Sequence, residues 1–378
     1  MSETEVKVSK DDILRNIEDR FCIVDMTFNG TEVFPQPFEA FNIAGTVADF
    51  FNENMDFENH VFEKCVFKEM DFRRWNLKAA SFYTCLFDNC LFPDELEQLC
   101  FDNCEFENIE LTDSKIVDLT IFGSKYRKVS FAGSTVSNCG FTECVFEQCS
   151  FEKLVQKIKN VFQMCSFSDI NFSNAKIPRI HLLDCVAFTN VDFSNAELES
   201  AVLSGISAGG DTCVKFDNAV LTTTNFEKSH FFAEAFKNTV LDRTVFSGSD
   251  FNKIEFKGQN LSNVWFDGCD IKDCVFEECN MYGAKINGAK LSTVKFINVD
   301  ASAIFAQKAV LKACDFYHSN LDYSNFAYAE LLGCNFDQCS MSLMYRHDFK
   351  SDKTYFESCV EKNIVEMDQD LYDAEHFY

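Results

Sequence analysis

The chain is short of the residues that break or punctuate structure, with 4 prolines, 14 glycines and 2 tryptophans in 378 residues. With 47% apolar residues, that poverty excludes global disorder, because a large core can be buried. No apolar run approaches the roughly 18 residues of a membrane span, so none is expected. The opening residues, MSETEVKVSKDD, contain no apolar segment of the kind found in secretory leaders. Positive charge is scarce too: 34 Lys and Arg stand against 60 Asp and Glu, a net of −26. GxGxxG, P-loop, HExxH and GxSxG motifs are missing. The six histidines are scattered, and no Ser/His or Cys/His pair stands out. The expectation is therefore a protein that is not an enzyme, with no catalytic residue and no cofactor.

What the chain has in abundance is phenylalanine, 44 residues, placed to a beat of five. From Phe216 to Met341 every fifth residue is a candidate core residue, 26 in succession, with Ala301 and Ala306 the weakest. A period of five fits neither a helix nor a strand. A fixed internal repeat marks a solenoid, which grows in one dimension and overrides a domain count based on length. The beat recurs upstream in other phases, over Phe57–Phe92, Phe101–Phe151, Phe162–Leu182 and Phe188–Leu203. Of the 54 centres, 31 are Phe. Between runs, residues 93–100, 152–161 and 204–213 read as loops pushed out of the solenoid. One extra residue between Leu182 and Phe188 reads as a bulge.

The residue two before each centre is small or carries a thiol. Fourteen of the 19 cysteines sit there, among them Cys65, Cys85, Cys269, Cys274, Cys279 and Cys334, and alanines such as Ala219 and Ala284 fill the slot elsewhere. One large and one small inward residue in five fill a narrow tube, and the other three face water. Cysteines so placed point to a reducing compartment rather than a disulfide framework.

This pattern resembles the pentapeptide-repeat proteins, whose repeat is A(D/N)LXX with Phe common at the centre. Local matches are Asn174-Ala175, Asn195-Ala196, Asn218-Ala219, Gly283-Ala284 and Gly288-Ala289 leading into their centres. The resemblance spans residues 52–346. It implies an all-β fold, a right-handed quadrilateral β-helix with four pentapeptides per coil, hence about 13.5 coils from 54 centres. Residues 20 apart would then stack. Residues 1–51 are expected to cap one end, with a short helix near Asp11–Phe21. Residues 347–378 are expected to cap the other, where Phe356, Val360, Ile364, Met367 and Leu371 have helical spacing. The interrupting loops are reminiscent of the gyrase-protecting quinolone-resistance members, which imitate duplex DNA. Those members also imply a homodimer through 347–378 as one arrangement open to this chain.

Function is sought in what the beat leaves over. Cys269, Cys274 and Cys279 would project from three walls of one coil. Three thiols in a layer would suit a soft metal, but the spacing is not that of zinc sites, and the reading taken is buried apolar cysteine with no metal. Residues 88–118 hold ten acids, including Asp94, Glu95, Glu97, Asp102, Glu105, Glu107 and Glu110, against Lys115 alone. They read as a docking patch for a basic partner or as a solvated face. Lys153, Lys157 and Lys159 make loop 152–161 a small basic protrusion. Trp265 and Phe305 fall in outward slots of one wall, two coils apart, and read either as interface anchors or as a seat for the C-terminal segment folding back.

The stretch 214–346 is nearly neutral, with 16 acids and 13 bases, far below the charge density of duplex DNA. The reading favoured is a non-enzymatic protein-binding scaffold working through loops and an acidic face, a bacterial effector in a host cytosol being one form of it. The alternative is a DNA mimic that binds a topoisomerase or another DNA-handling enzyme. The partner expected is another protein, with neither nucleic acid nor membrane bound directly, in the cytoplasm or a host cytosol.

Overall fold

Each five-residue repeat makes one short straight segment and one corner. The corner residue, two after the centre, takes left-handed backbone, with φ of 57° at Asn218, 54° at Asn238 and 62° at Tyr323. Such a conformation costs a non-glycine residue about 1 kcal/mol or more. It is held by hydrogen bonds to the next coil, as in Lys290 N to Cys269 O at 2.8 Å and Thr293 N to Lys312 O at 2.9 Å. A computed structural model describes residues 55–375 and the strands Cys22–Val24 and Thr27–Asn29. The chain forms two units, Met1–Val191 and Asp192–Tyr378, each a parallel β-solenoid, with about 15 turns in all.

In the first unit, an eight-stranded parallel sheet runs from Cys22–Val24 through Val61–Glu63 and Ser81–Tyr83 to His181–Leu183. A four-stranded sheet forms another wall, from Glu95–Glu97 to Val155–Gln156. In the second unit, an eight-stranded sheet runs from Ser207–Ala208 to Lys350–Asp352 and a six-stranded one from Glu255–Lys257 to Tyr355–Glu357. Its other two walls are joined by single parallel bridges, such as Val245 to Trp265, Trp265 to Lys285 and Lys285 to Phe305.

The beat defines the core. Phe276, Phe296, Phe316 and Phe336 pair in register 20 residues apart. Their rings stack at 5.0, 4.4 and 4.5 Å with planes within 7°, because the inter-strand spacing of about 4.8 Å brings each ring directly over the last. Within one coil, neighbouring centres meet edge to face, as Phe62 and Phe67 do at 5.7 Å and 72°. Tyr126 occupies a phenylalanine position between Phe106 and Phe146. Its hydroxyl is buried without a hydrogen-bond partner, and burial pushes the phenol well above its usual range. A gap of about 30 Å³ near Phe106, Tyr126 and Phe151 has room for about one water.

Expectations about the interruptions and the two ends are corrected. Residues 93–100 are not an expelled loop. Leu96 is a buried centre at 3% exposure in the strand Glu95–Glu97, four residues after Phe92, so a single deleted residue at the corner shifts the phase. Residues 152–161 also stay in the coil. Gln156 takes a centre position and Asn160 the small-residue slot; the Asn160 amide donates to Gln156 Oε1 at 3.0 Å, and the Gln156 amide donates to Pro178 O. A polar centre hid the repeat, and only one extra residue, near the exposed Ile158, bulges outward. Residues 204–213 do carry an insertion, the 3-10 turn Gly210–Thr212, after a buried centre at Ala208. At the C-terminus, residues expected to be helical add a further coil, with Lys350–Asp352 and Tyr355–Glu357 in the sheets and Val360 and Val365 bridging to Ser340 and Tyr345. The helix is confined to Gln369–Glu375.

The expected N-terminal cap of 1–51 likewise contributes wall strands, which pair with Val61–Glu63 and Val66–Lys68. The helix expected near Asp11–Phe21 lies outside the described residues. These added strands at both ends, with the interior centres at Leu96, Gln156 and Ala208, account for the larger number of turns.

The last coil changes character. Arg346 takes a centre position, 7% exposed, and pairs with Glu361 at 2.8 Å and Glu366 at 3.6 Å. Its guanidinium lies 5.2 Å from the Phe356 ring. The following centres are Ser351, Phe356, Glu361 and Glu366, all of them exposed except the half-buried Phe356.

Two substitutions test this packing. Phe316→Ala removes one ring from the middle of the ladder and is expected to cost about 3 to 5 kcal/mol, read as a lower denaturation midpoint; an unchanged midpoint would contradict the ladder. Tyr126→Phe removes an unpartnered buried hydroxyl and is expected to stabilise by about 1 kcal/mol, read as a higher midpoint in the same assay.

Candidate protein-docking wall

The acidic stretch does not form one face, because successive pentapeptides project from successive walls. Glu95 and Glu97 flank Leu96, Asp102 follows Phe101, Glu105 and Glu107 flank Phe106, and Glu110 precedes Leu111. These are four different directions. The coil above and below supplies counter-charges 20 residues or so away: Lys115 to Glu95 at 3.6 Å, Lys78 to Glu97 at 3.2 Å, Lys125 to Glu105 at 3.2 Å and Arg127 to Glu107 at 3.3 Å. Asp102 accepts from the Asn103 amide at 2.8 Å and Glu110 from the Thr112 hydroxyl at 3.1 Å. Asp94 is exposed at the corner created by the short repeat. Exposed pairs of this kind contribute little stability each, but they offset the charge of the four glutamates they engage.

The basic residues are also divided. Lys153 pairs with Glu152 at 3.0 Å, while Lys157 and Lys159 flank the bulge at Ile158. The thiols point away from a shared centre. Cys269 donates to Phe246 O at 3.0 Å, Cys274 to Lys272 O at 3.2 Å and Cys279 to Phe256 O at 3.2 Å. Burial pushes Cys269 up to about 12 and Cys274 up to about 11, so the metal-binding thiolate is disfavoured. Among the described residues no group of three or more His, Cys, Asp or Glu side chains is arranged to hold a metal ion.

Trp265 and Phe305 do share a wall. Their backbones bridge in parallel to Lys285 between them, and the rings are 41% and 42% exposed. Lys285 Nζ lies 3.9 Å from the Trp265 ring centroid, a cation–π contact that holds the ammonium flat on the wall. The adjoining corner column is Gly248, Gly268 and Gly288, with φ of 69°, 67° and 63°. Beside Gly268 and Gly288, the space a Cβ would enter is open. The result is an aromatic and cationic ridge beside a bare backbone shelf.

The same wall seats the helix Gln369–Glu375 further along. Tyr345 Oη donates to Asp368 Oδ2 at 3.0 Å, and Tyr328 Oη donates to Glu375. The Asp368 N–H donates to His347 Nδ1 at 3.0 Å. That bond fixes the proton of the neutral ring on Nε2, which faces Glu375 Oε2 at 3.5 Å. The Glu375 carboxylate pushes the Tyr328 phenol up to about 12. Backbone donation from Leu371, then the Tyr345 hydroxyl, holds the Asp368 carboxyl below its usual range. The C-terminal segment thus folds back on Tyr328, Tyr345 and His347, while Trp265 and Phe305 keep their exposure. Reading for large outward aromatics misses Lys285, His347 and Lys308. A 20-residue register from Trp265 would have reached Lys285, Phe305, Asn325 and Tyr345 in turn.

The description "Pentapeptide repeat region" matches residues 212–286 and 249–326, and "Pentapeptide repeats (8 copies)" matches 165–205. No curated protein matches the chain. Among solved structures, it is similar to HetL, a pentapeptide repeat protein involved in heterocyst differentiation regulation from the cyanobacterium Nostoc sp. strain PCC 7120. That likeness is at 15% identity over 68% of this chain and 87% of that one, with a TM-score of 0.18. It is also similar to QnrB1, a plasmid-mediated fluoroquinolone resistance protein, at 14% identity over 77% and 98%, with a TM-score of 0.22. From the two repeat matches and a five-residue beat that builds every coil, the chain belongs to the pentapeptide-repeat family.

Proposed function

We propose that this chain is a non-enzymatic protein-binding scaffold, and that it binds through the second unit's wall bearing Trp265, Lys285 and Phe305. The observation that carries this reading is the exposure of two large aromatic residues in one column, 41% and 42%, with the Lys285 ammonium laid on the Trp265 ring. Aromatic anchors of this type supply much of the energy of protein interfaces. The acids first read as a docking face support it less well, being spread over four walls and paired from coil to coil. The same pairing weakens DNA mimicry, which requires unpaired charge at regular spacing. Free thiols at all 18 cysteines of residues 55–375 fit a reducing cytosol as the working compartment. Among the described residues no helix is long and apolar enough to cross a membrane.

The test is photo-crosslinking from cytosolic extract, with the crosslinker placed at Gln307 beside the column. The double substitution Trp265→Ala, Phe305→Ala is expected to weaken capture of the crosslinked protein by at least about tenfold, at about 2 kcal/mol per anchor. Glu105→Gln with Glu107→Gln should leave it unchanged. Both variants should keep the parental circular dichroism, because the altered side chains face outward. Capture that ignores the loss of both rings sinks this wall as the binding surface, and competition by duplex DNA for the captured protein would favour mimicry instead.

A further inference from the structure

The helix Gln369–Glu375 shows what chemistry this wall accepts. Its sequence, QDLYDAE, has three acids and no base, and Asp368 precedes it. The wall answers with donors: the Tyr345 and Tyr328 hydroxyls and the His347 imidazole all face carboxylates of the tail. Leu371 is half-buried there, whereas its neighbours Asp370 and Tyr372 are exposed.

The open part of the wall continues that chemistry. Lys308 Nζ reaches to 5.9 Å from the ring of Tyr328, whose hydroxyl holds Glu375. Upstream lie Phe305, then Lys285, then Trp265. From Val245 to Tyr328 the outward residues of this wall include two lysines, Lys285 and Lys308, and a single acid, Asp267. The Asp267 carboxylate is engaged by the Asn287 N–H at 2.8 Å. The shelf at Gly268 and Gly288 lets a second backbone approach the ridge, since the space a Cβ would enter there is open. Positive charge and apolar rings are thus laid out in continuity with a seat already filled by an acidic helix. That is a surface complementary in charge and apolarity to an acidic amphipathic helix.

We propose that the Trp265–Lys285–Phe305 stretch docks a short acidic amphipathic segment of a partner protein, and that the chain's own C-terminal helix occupies the adjoining part of the same surface as a built-in segment of that kind. This rests on the scaffold reading and adds the chemical class of the ligand.

The probe is a fluorescent peptide with the sequence of residues 366–378, titrated into the full-length protein and followed by anisotropy. Saturable binding to the wild-type chain is expected, weakened at least about tenfold by Lys285→Glu or Trp265→Ala. Tyr323→Ala, an exposed tyrosine on the neighbouring wall, should leave binding unchanged. A peptide whose Asp and Glu are replaced by Asn and Gln should lose at least tenfold in affinity as well. The full-length variant D368N/E375Q, whose own helix is loosened, should bind additional peptide. Absence of saturable binding to wild type overturns the proposal. So does binding confined to D368N/E375Q and indifferent to Lys285→Glu, since the peptide would then use only the seat of the native helix. The two readings fail separately. If the peptide fails while crosslinked capture still depends on Trp265 and Phe305, the scaffold stands and only the acidic class is wrong. If capture ignores both rings, the scaffold reading fails.

Discussion

Everything in this protein depends on one constraint: each coil must lie in register on the next. The backbone bonds that join coils recur at every repeat, and they tolerate no slip, because a shift of one residue would turn the inward centre outward. The left-handed corners are a cost that only this stacking can offset. The phenylalanine ladder is a result of register as much as a cause, since rings held at the inter-strand distance have little choice but to lie flat on one another. Thiols and alanines in the second inward slot complete the filling, which is why so reactive a residue type serves mainly as small apolar volume.

The same constraint reorders proximity. Residues adjacent along the chain diverge to different walls, while residues 20 apart become neighbours. An acidic segment is thereby dispersed, and its charges meet lysines and arginine from other coils. Conversely, Trp265, Lys285 and Phe305, unremarkable as isolated positions, become one continuous ridge. Charge or aromaticity counted along the sequence is a poor guide to the surface of a solenoid. The count has to be made along columns.

Legibility followed the apolar signal closely and ended where that signal ended. The solenoid, its centres, the inward cysteines and the outward placement of Trp265 and Phe305 could all be read from spacing alone. Leu96 escaped because one missing residue moved it off the beat. Gln156 escaped because a buried amide looks like a surface residue until Asn160 is seen beside it. The last coil escaped for a related reason. Ser351, Glu361 and Glu366 carry no apolar mark, so the remaining apolar residues, Phe356, Val360, Ile364 and Met367, fell by chance into helical spacing. The seat of the C-terminal helix required knowing which tyrosines share a wall, and that follows from the 20-residue register rather than from any local pattern.

The change of character at Arg346 has a consequence for length. A β-solenoid is open-ended in principle, since each new coil presents the template for another and a neighbouring molecule could supply it. Here the terminal layer offers carboxylates and a hydroxyl at Ser351, Glu361 and Glu366, with a guanidinium just beneath. Any coil laid upon that layer would strip water from two carboxylates that share the single guanidinium of Arg346, a cost of several kcal/mol. The repeat therefore carries its own termination signal, and stacking on that end into fibres is opposed by the same inward positions that elsewhere drive the coils together.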